Sequence, residues 1–114
     1  MQRSFRLTRS EDFKRVRRDG KSYAHPLVVL IVENNDQAHV QVGIAAGKSV
    51  GGAVTRSRTK RLLREAVRPL IPNIASTVNL ILIARPSLAS ASLAEAQTAL
   101  LHLLRRAKLI PPGA

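Results

Sequence analysis

The chain has 114 residues with 45% hydrophobic content, which suits one folded domain over residues 1–114 and excludes a disordered basic tail. It carries 19 Lys and Arg against 7 Asp and Glu, a formal net charge of +12 that favours a polyanionic partner. The absence of Cys excludes disulfides and thiolate chemistry and suits a reducing cytoplasm, and neither a secretory signal nor a membrane-spanning run is predicted.

The N-terminal part predicts one short helix. Thr8 and Glu11 have the spacing of a capping box, in which each side chain binds a free N–H group of the first helical turn. The helix should run to about Arg18 and bury Phe13 and Val16 on one side.

Strands are predicted next. A possible short strand covers Lys21–Ala24, and Pro26 interrupts it. The continuous apolar run Leu27–Val32 indicates a strand covered on both faces. Polar residues 33–37 predict a turn, after which the alternation in residues 40–46 predicts a second, antiparallel strand.

The second half begins with a glycine-rich connection, Gly47–Gly52, into a basic helix that Pro69 should stop. Val78–Ala84 reads as a strand, and Ser92–Glu95 as a second capping box that opens the last helix. The apolar positions of that helix are Leu93, Ala96, Leu100, Leu103, Leu104 and Ala107. The order of elements predicts an α+β or an α/β sandwich built on one sheet.

The basic helix separates charged from apolar positions at about 100° per residue. Its cations form a row with i, i+4 spacing, Arg56, Lys60, Arg64 and Arg68, which Arg58 and Arg61 widen. Thr55, Thr59, Leu62, Leu63 and Ala66 fall on the opposite side, and Val67 lies at the boundary. Like charges at this spacing destabilise a helix, so the row favours phosphate binding over a solvated face. It extends about 18 Å at the standard helical rise.

The helix is rich in Arg, whose planar fork suits bidentate contact with phosphate. The only aromatic residues, Phe5, Phe13 and Tyr23, do not provide a stacking platform for bases. Recognition of a structured RNA by its shape and phosphates therefore fits best, and a DNA-binding nucleoid protein is an alternative.

Catalytic side chains are sparse. His25, His39 and His102 are predicted to lie far apart, in three different elements, so we expect neither a metal site nor a catalytic base. The segment from Gly43 to Ser49 has three residues between its glycines where a phosphate-binding loop needs four, which argues against nucleotide hydrolysis. Lys48 in this loop could add a charge to the phosphate-binding surface. We expect the protein alone to be non-catalytic.

The motifs around the basic helix resemble the protein subunit of bacterial ribonuclease P. The matching positions are Val42-Gly43, Lys48, Gly51 and the run Ala53-Val54-x-Arg56-Ser57-Arg58-x-Lys60-Arg61-Leu62-x-Arg64-Glu65. Residues 7–21 look like the first helix of that family, and residues 82–86 like its last strand. The resemblance implies an α+β two-layer sandwich of order α-β-β-β-α-β-α. Its four-stranded sheet would carry a left-handed crossover, of the ribosomal S5 domain 2-like type.

The resemblance also implies a function. A catalytic RNA with Mg²⁺, bound mainly by the RNA and substrate, would remove the 5′ leader of precursor tRNA, with one protein per RNA and no membrane partner. From the spacing and the resemblance together, we expect RNA contacts at Lys48, Arg56, Ser57, Arg58, Lys60, Arg61, Arg64 and Arg68. The resemblance places the leader in a cleft that includes Phe13, Arg17, Ile31 and Ala45. A structural ribosomal-type RNA-binding protein is the alternative function.

Three positions depart from the family pattern. Ser57 stands where the family has Asn, so its hydroxyl reaches less far. Arg17 and Ile31 stand where aromatic residues are common. Leader binding should therefore depend less on stacking and more on charge.

Overall fold

The computed structural model describes residues 10–35, 39–74 and 76–111, so Thr8 of the first predicted capping box lies outside the described residues. The helices are α1 (Ser10–Asp19), α2 (Ala53–Val67) and α3 (Leu93–Arg106), and the strands are β1 (Lys21–Ala24), β2 (Val28–Asn34), β3 (Gln41–Ala46) and β4 (Val78–Ala84). Short 3₁₀ segments cover Lys48–Val50, Arg68–Asn73 and Pro86–Ser90.

The four strands form one mixed sheet in the order β1-β2-β4-β3. Strand β2 is antiparallel to both β1 and β4, whereas β3 is parallel to β4 and does not pair with β2. The predicted strand at residues 40–46 is present as β3, but the prediction that it pairs antiparallel beside the first long strand is wrong. The predicted turn at 33–37 begins too early because β2 continues through Asn34, and residues 36–37 lie outside the described residues. Strand β4 lies between β2 and β3. Nearly all its side chains are buried, as expected for a strand that is covered on both faces and paired at both edges.

The two faces of the sheet pack against different helices. On one face, Leu30, Leu80 and Leu82 belong to the main core with α2 and α3. On the other face, Ile31 and Ile81 pack with Val16 of α1 in a smaller cluster. The α+β prediction is confirmed: the sheet and the α2–α3 layer form the sandwich, and α1 covers part of the opposite face. Strand β2 is covered on both sides, as its continuous apolar run predicts.

Close packing at the end of α1 explains Gly20. A Cβ atom at this position would lie 2.6 Å from both Ile31 Cγ2 and the Val16 carbonyl oxygen. The Gly20 N–H donates to that same carbonyl at 2.8 Å. Glycine therefore lets the chain turn directly from α1 into the sheet, which brings α1 down onto β2.

The ends of the later helices follow the sequence signals closely. Ser92 and Glu95 form the predicted capping box at the start of α3. The prediction that Leu93 lies on the apolar face is wrong: this residue is 44% exposed because it occupies the first helical position. Helix α2 ends just before Pro69, and the chain continues as a 3₁₀ turn. None of the helices in the described parts of the chain has the length and apolar content that crossing a bilayer requires.

Candidate nucleic-acid interface

Helix α2 packs one side on the core and exposes the other. Its buried residues are Thr59, Leu63, Ala66 and Val67. The Thr59 hydroxyl donates to the Thr55 carbonyl oxygen at 2.7 Å, which satisfies the buried polar group. Its exposed residues are Ala53, Val54, Ser57, Arg58, Arg61 and Glu65, and Arg68, which directly follows the helix, is also exposed. The apolar and charged sides of the wheel are therefore present.

The predicted row of cations does not run along the middle of the exposed side. A step of four residues advances about 400°, so each member is turned about 40° from the one before it. Arg56 consequently starts beside the core, half-buried and with its Nε atom buried, while Arg68 ends fully on the solvent side. Lys60 and Arg64 lie between them with intermediate exposure. The outward cations are Arg58, Arg61 and Arg68, and we call these three the α2 cationic face.

Acidic side chains leave most of this face unpaired. Glu65 accepts a hydrogen bond from Arg68 at 2.9 Å. Within the described residues, no acidic group pairs with Arg58 or Arg61. These two guanidinium groups therefore keep their donors available for an external anion.

The turn that leads into α2 is fixed by glycine. Gly51 has φ of +149°, and a Cβ atom there would lie 2.9 Å from Thr55 Cγ2, so a side chain is excluded on both counts. Lys48 is exposed in the preceding 3₁₀ turn, as a phosphate contact would require.

An open depression lies over the first two turns of α2. It is lined by Ala53, Val54, Ser57, Arg58 and Arg61. Val54 is 80% exposed, so the cations surround an apolar contact surface. The helical wheel does not predict Val54 as a contact residue. Its angular position between Arg58 and Arg61, on the same side of the helix, is the sequence signal that indicates this role.

The four residues of the expected leader cleft share the face of the sheet that carries α1. Phe13 packs from α1 against the small cluster, and Ala45 lies on β3 opposite Ile83 of β4. Arg17 is exposed on α1, one turn after Phe13. Ile31 is only 4% exposed beneath α1, so it supports the floor and is not a contact surface. The accessible floor consists of the partly buried Val29, Ile83 and Ala45.

A polar network fixes α1 against the sheet. Arg15 donates to Asp12 at 2.7 Å and to Glu33 of β2 at 3.0 Å. The hydrogen bonds that Arg15 donates to Glu33, and then to Asp12, raise the pKa of the Arg15 guanidinium, which stays charged. Asn79, only 2% exposed, donates to Glu33 at 3.1 Å and accepts from Asn35. The sequence offered no signal for this network because its members come from three separate elements.

The positions of two histidines differ from the prediction. His25 and His102 are neighbours, with ring centroids 6.0 Å apart in an edge-to-face arrangement. The prediction that they lie far apart is wrong, because a single sequence does not show that α3 packs on the β1 side of the sheet. His25 Nδ1 accepts the Leu27 N–H at 3.0 Å. Among the described residues, no three His, Cys, Asp or Glu side chains meet in a cluster that could hold a metal ion.

Comparisons with known proteins agree with this architecture. The family model of ribonuclease P matches residues 1–108. The ribonuclease P protein component of Alkaliphilus metalliredigens is 36% identical over 96% of this chain and 99% of its own length, and that of Brevibacillus brevis is 40% identical over 96% and 88%.

Solved structures show the same fold. The RNase P protein of Staphylococcus aureus matches with a TM-score of 0.83 and 31% identity, over 93% of this chain and 97% of that one. The RNase P protein of Thermotoga maritima matches with a TM-score of 0.79 and 27% identity, over 89% and 96%. The chain therefore belongs to the ribonuclease P protein family and is a protein subunit of this tRNA-processing endoribonuclease.

Proposed function

We propose that the α2 cationic face binds the catalytic RNA of ribonuclease P. The single observation that carries this proposal is the pair Arg58 and Arg61, exposed on a rigid helix without an acidic partner among the described residues. Two guanidinium groups one helical turn apart fit successive phosphates of an RNA backbone. Val54 and the Ser57 hydroxyl add an apolar and a hydrogen-bonding contact between them.

The remaining predicted RNA contacts divide by their exposure. Lys60 and Arg64 flank the face with intermediate exposure and reach phosphates at its edge, whereas Lys48 reaches them from the loop before the helix. Arg56 is half-buried, so its main role is to support α2 with its aliphatic stem packed beside the core. Its contribution to RNA affinity should be smaller than that of Arg58.

We also propose that the α1 face of the sheet binds the single-stranded 5′ leader of precursor tRNA. Phe13 offers a partly exposed aromatic ring, and Arg17 adds a charge one turn further along the same helix. The half-buried Val29, Ile83 and Ala45 provide an apolar floor. This composition favours backbone and charge recognition without strong base preference.

The two surfaces lie on opposite sides of one sheet. This arrangement indicates how the protein would promote cleavage. It holds the leader on the α1 side while α2 keeps it attached to the catalytic RNA, so the substrate is retained close to the RNA active site. Mg²⁺, when bound by the RNA and the substrate, supplies charge stabilisation to the cleavage of the phosphodiester bond. The described residues do not assemble carboxylates or histidines into an ion site of their own.

Reconstitution tests the proposal. The protein should be combined with ribonuclease P RNA and precursor tRNA at a Mg²⁺ concentration too low for the RNA alone. We expect restored cleavage of the leader with one protein per RNA, in conditions that mimic a reducing cytoplasm. Binding of RNA without any effect on cleavage would favour the alternative, a structural ribosomal-type RNA-binding protein.

A further inference from the structure

A second group of cations surrounds one aromatic ring at the β1 edge of the sheet. Lys21 Nζ lies 5.5 Å from the centre of the Tyr23 ring, and Arg106 Cζ lies 5.8 Å from it. Arg106 Nη1 also donates to the carbonyl oxygen of Ala24 at 2.7 Å. Two elements that are far apart in sequence, β1 and the end of α3, therefore hold two cations in fixed positions.

Further basic groups lie around the end of β1. His25 and His102 are in edge-to-face contact, and Arg85 lines a shallow depression together with Ala24, His25 and Pro26. The pKa of His25 is lowered, first by partial burial and then by the positive charge of His102 and Arg106. We define the β1–α3 patch as Lys21, Tyr23, His25, Arg85, His102 and Arg106.

Acidic side chains near this patch are engaged elsewhere. Asp19, two residues before Lys21, is held by Arg18 at 2.9 Å. Glu33 is held by Arg15 at 3.0 Å on the other face of the sheet. Glu95 caps the opposite end of α3. Within the described residues, none of the acidic groups forms an ion pair with a member of the patch.

The use of an aromatic ring in place of a carboxylate has a chemical consequence. A carboxylate would occupy the donor groups of Lys21 and Arg106 and would repel an incoming anion. A ring face attracts the cations but leaves most of their N–H groups free for a strong acceptor. Cations that are already held in place also lose less conformational freedom when they bind. The arrangement suits phosphate groups.

The position of the patch indicates which RNA supplies those phosphates. The Tyr23 side chain packs against the main core, on the face of the sheet covered by α2 and α3. The proposed leader cleft lies on the opposite face. We propose that the β1–α3 patch is a second phosphate-binding surface for the catalytic RNA, separate from the α2 cationic face. This inference rests on the proposed function.

Single charge removals test the proposal. Arg106→Gln and Lys21→Gln should each reduce the slope of log affinity for the catalytic RNA against log salt by roughly 0.7–0.9, as one lost phosphate contact does. Arg106→Lys should retain the slope because it retains the charge. Lys14→Gln removes one exposed cation from α1 and is the matched control, with no change of slope expected.

Variants of the ring test how the cations are held. Tyr23→Leu keeps both charges and should keep the slope, but it should weaken binding roughly two- to five-fold because the cations lose their fixed positions. Tyr23→Phe preserves the ring and should bind as the unmodified protein does. Thermal melting of each variant, measured in parallel, separates a loss of binding from a loss of folding.

The outcomes separate this proposal from the proposed function. If Arg106→Gln and Lys21→Gln fold normally and leave the slope unchanged, the patch does not contact the catalytic RNA. If they change only the salt dependence of precursor tRNA binding to the assembled holoenzyme, the phosphates belong to the substrate and the proposal is overturned. In both cases the unmodified protein would still restore cleavage by the RNA, which is the test of the proposed function.

Discussion

Simultaneous replacement of Arg58 and Arg61 by Ala should weaken binding of the catalytic RNA and make it less sensitive to salt. Both side chains are exposed on α2, and neither has an acidic partner among the described residues. Each lost phosphate contact lowers the slope of log affinity against log salt by roughly 0.7–0.9, so the double variant should lose about 1.4–1.8. The core side of α2 is unchanged, so the melting temperature should stay close to that of the unmodified protein.

The assay is a filter-binding or fluorescence titration with the catalytic RNA over a series of KCl concentrations. Glu65→Gln provides a control in the opposite direction, because it releases Arg68 from its 2.9 Å ion pair. This variant should bind more tightly and show a steeper salt dependence. If Arg58→Ala with Arg61→Ala leaves the slope unaltered, these guanidinium groups do not reach phosphate, and the assignment of the α2 cationic face is wrong.

Three further variants test other parts of the molecule. Phe13→Ala should cost about 1–3 kcal/mol in binding of precursor tRNA by the holoenzyme, the range for loss of one stacked base, with mature tRNA unaffected; equal losses for both RNAs would contradict a leader contact. Gly20→Ala should lower the free energy of unfolding by about 1–3 kcal/mol in urea denaturation, because its Cβ atom would overlap Ile31, and an unchanged midpoint would refute that packing argument. The pKa of His25 lies below its ordinary value of 6.5 in the folded chain. The unfolded chain therefore takes up a proton first, and stability should fall as the pH drops through 6.5. His25→Asn keeps an acceptor for the Leu27 N–H and should flatten that decline in melting temperature, whereas an identical pH profile would exclude His25 as its source.

The sequence predicts the elements of this fold well because their signals are local. Ser92 and Glu95 form their capping box as predicted, and Val78–Ala84 is a strand with the predicted bounds. The partners of the strands are not local. The alternation in residues 40–46 shows that they form a strand, but it does not show that β4, from much later in the chain, separates them from β2.

The candidate site shows the same division between local and distant signals. The wheel separates Thr59 and Leu63 from the charged side of α2, but it also places the half-buried Thr55 and Leu62 on the apolar side and the buried Val67 at the boundary. Tertiary packing makes Arg58 and Arg61 outward cations and leaves Arg56 half-buried beside the core. Contacts between distant elements, such as the His25–His102 pair, leave no pattern in a single sequence.

Successive side chains of β4 point to opposite faces of the sheet. This one strand therefore contributes to two packing distances, from the sheet to α1 and from the sheet to α2. Leu80 and Leu82 face the α2 layer, and Ile81 and Ile83 face the α1 layer, so a single strand is the floor of both. With about 10 Å between packed layers, α1 and α2 are about 20 Å apart, in keeping with the shortest dimension of the molecule, 24 Å. On the proposed assignment, the sheet and the α2 layer packed on it together set how far the leader lies from the catalytic RNA. Enlarging Leu80 or Leu82 would then alter that spacing even though neither side chain contacts RNA.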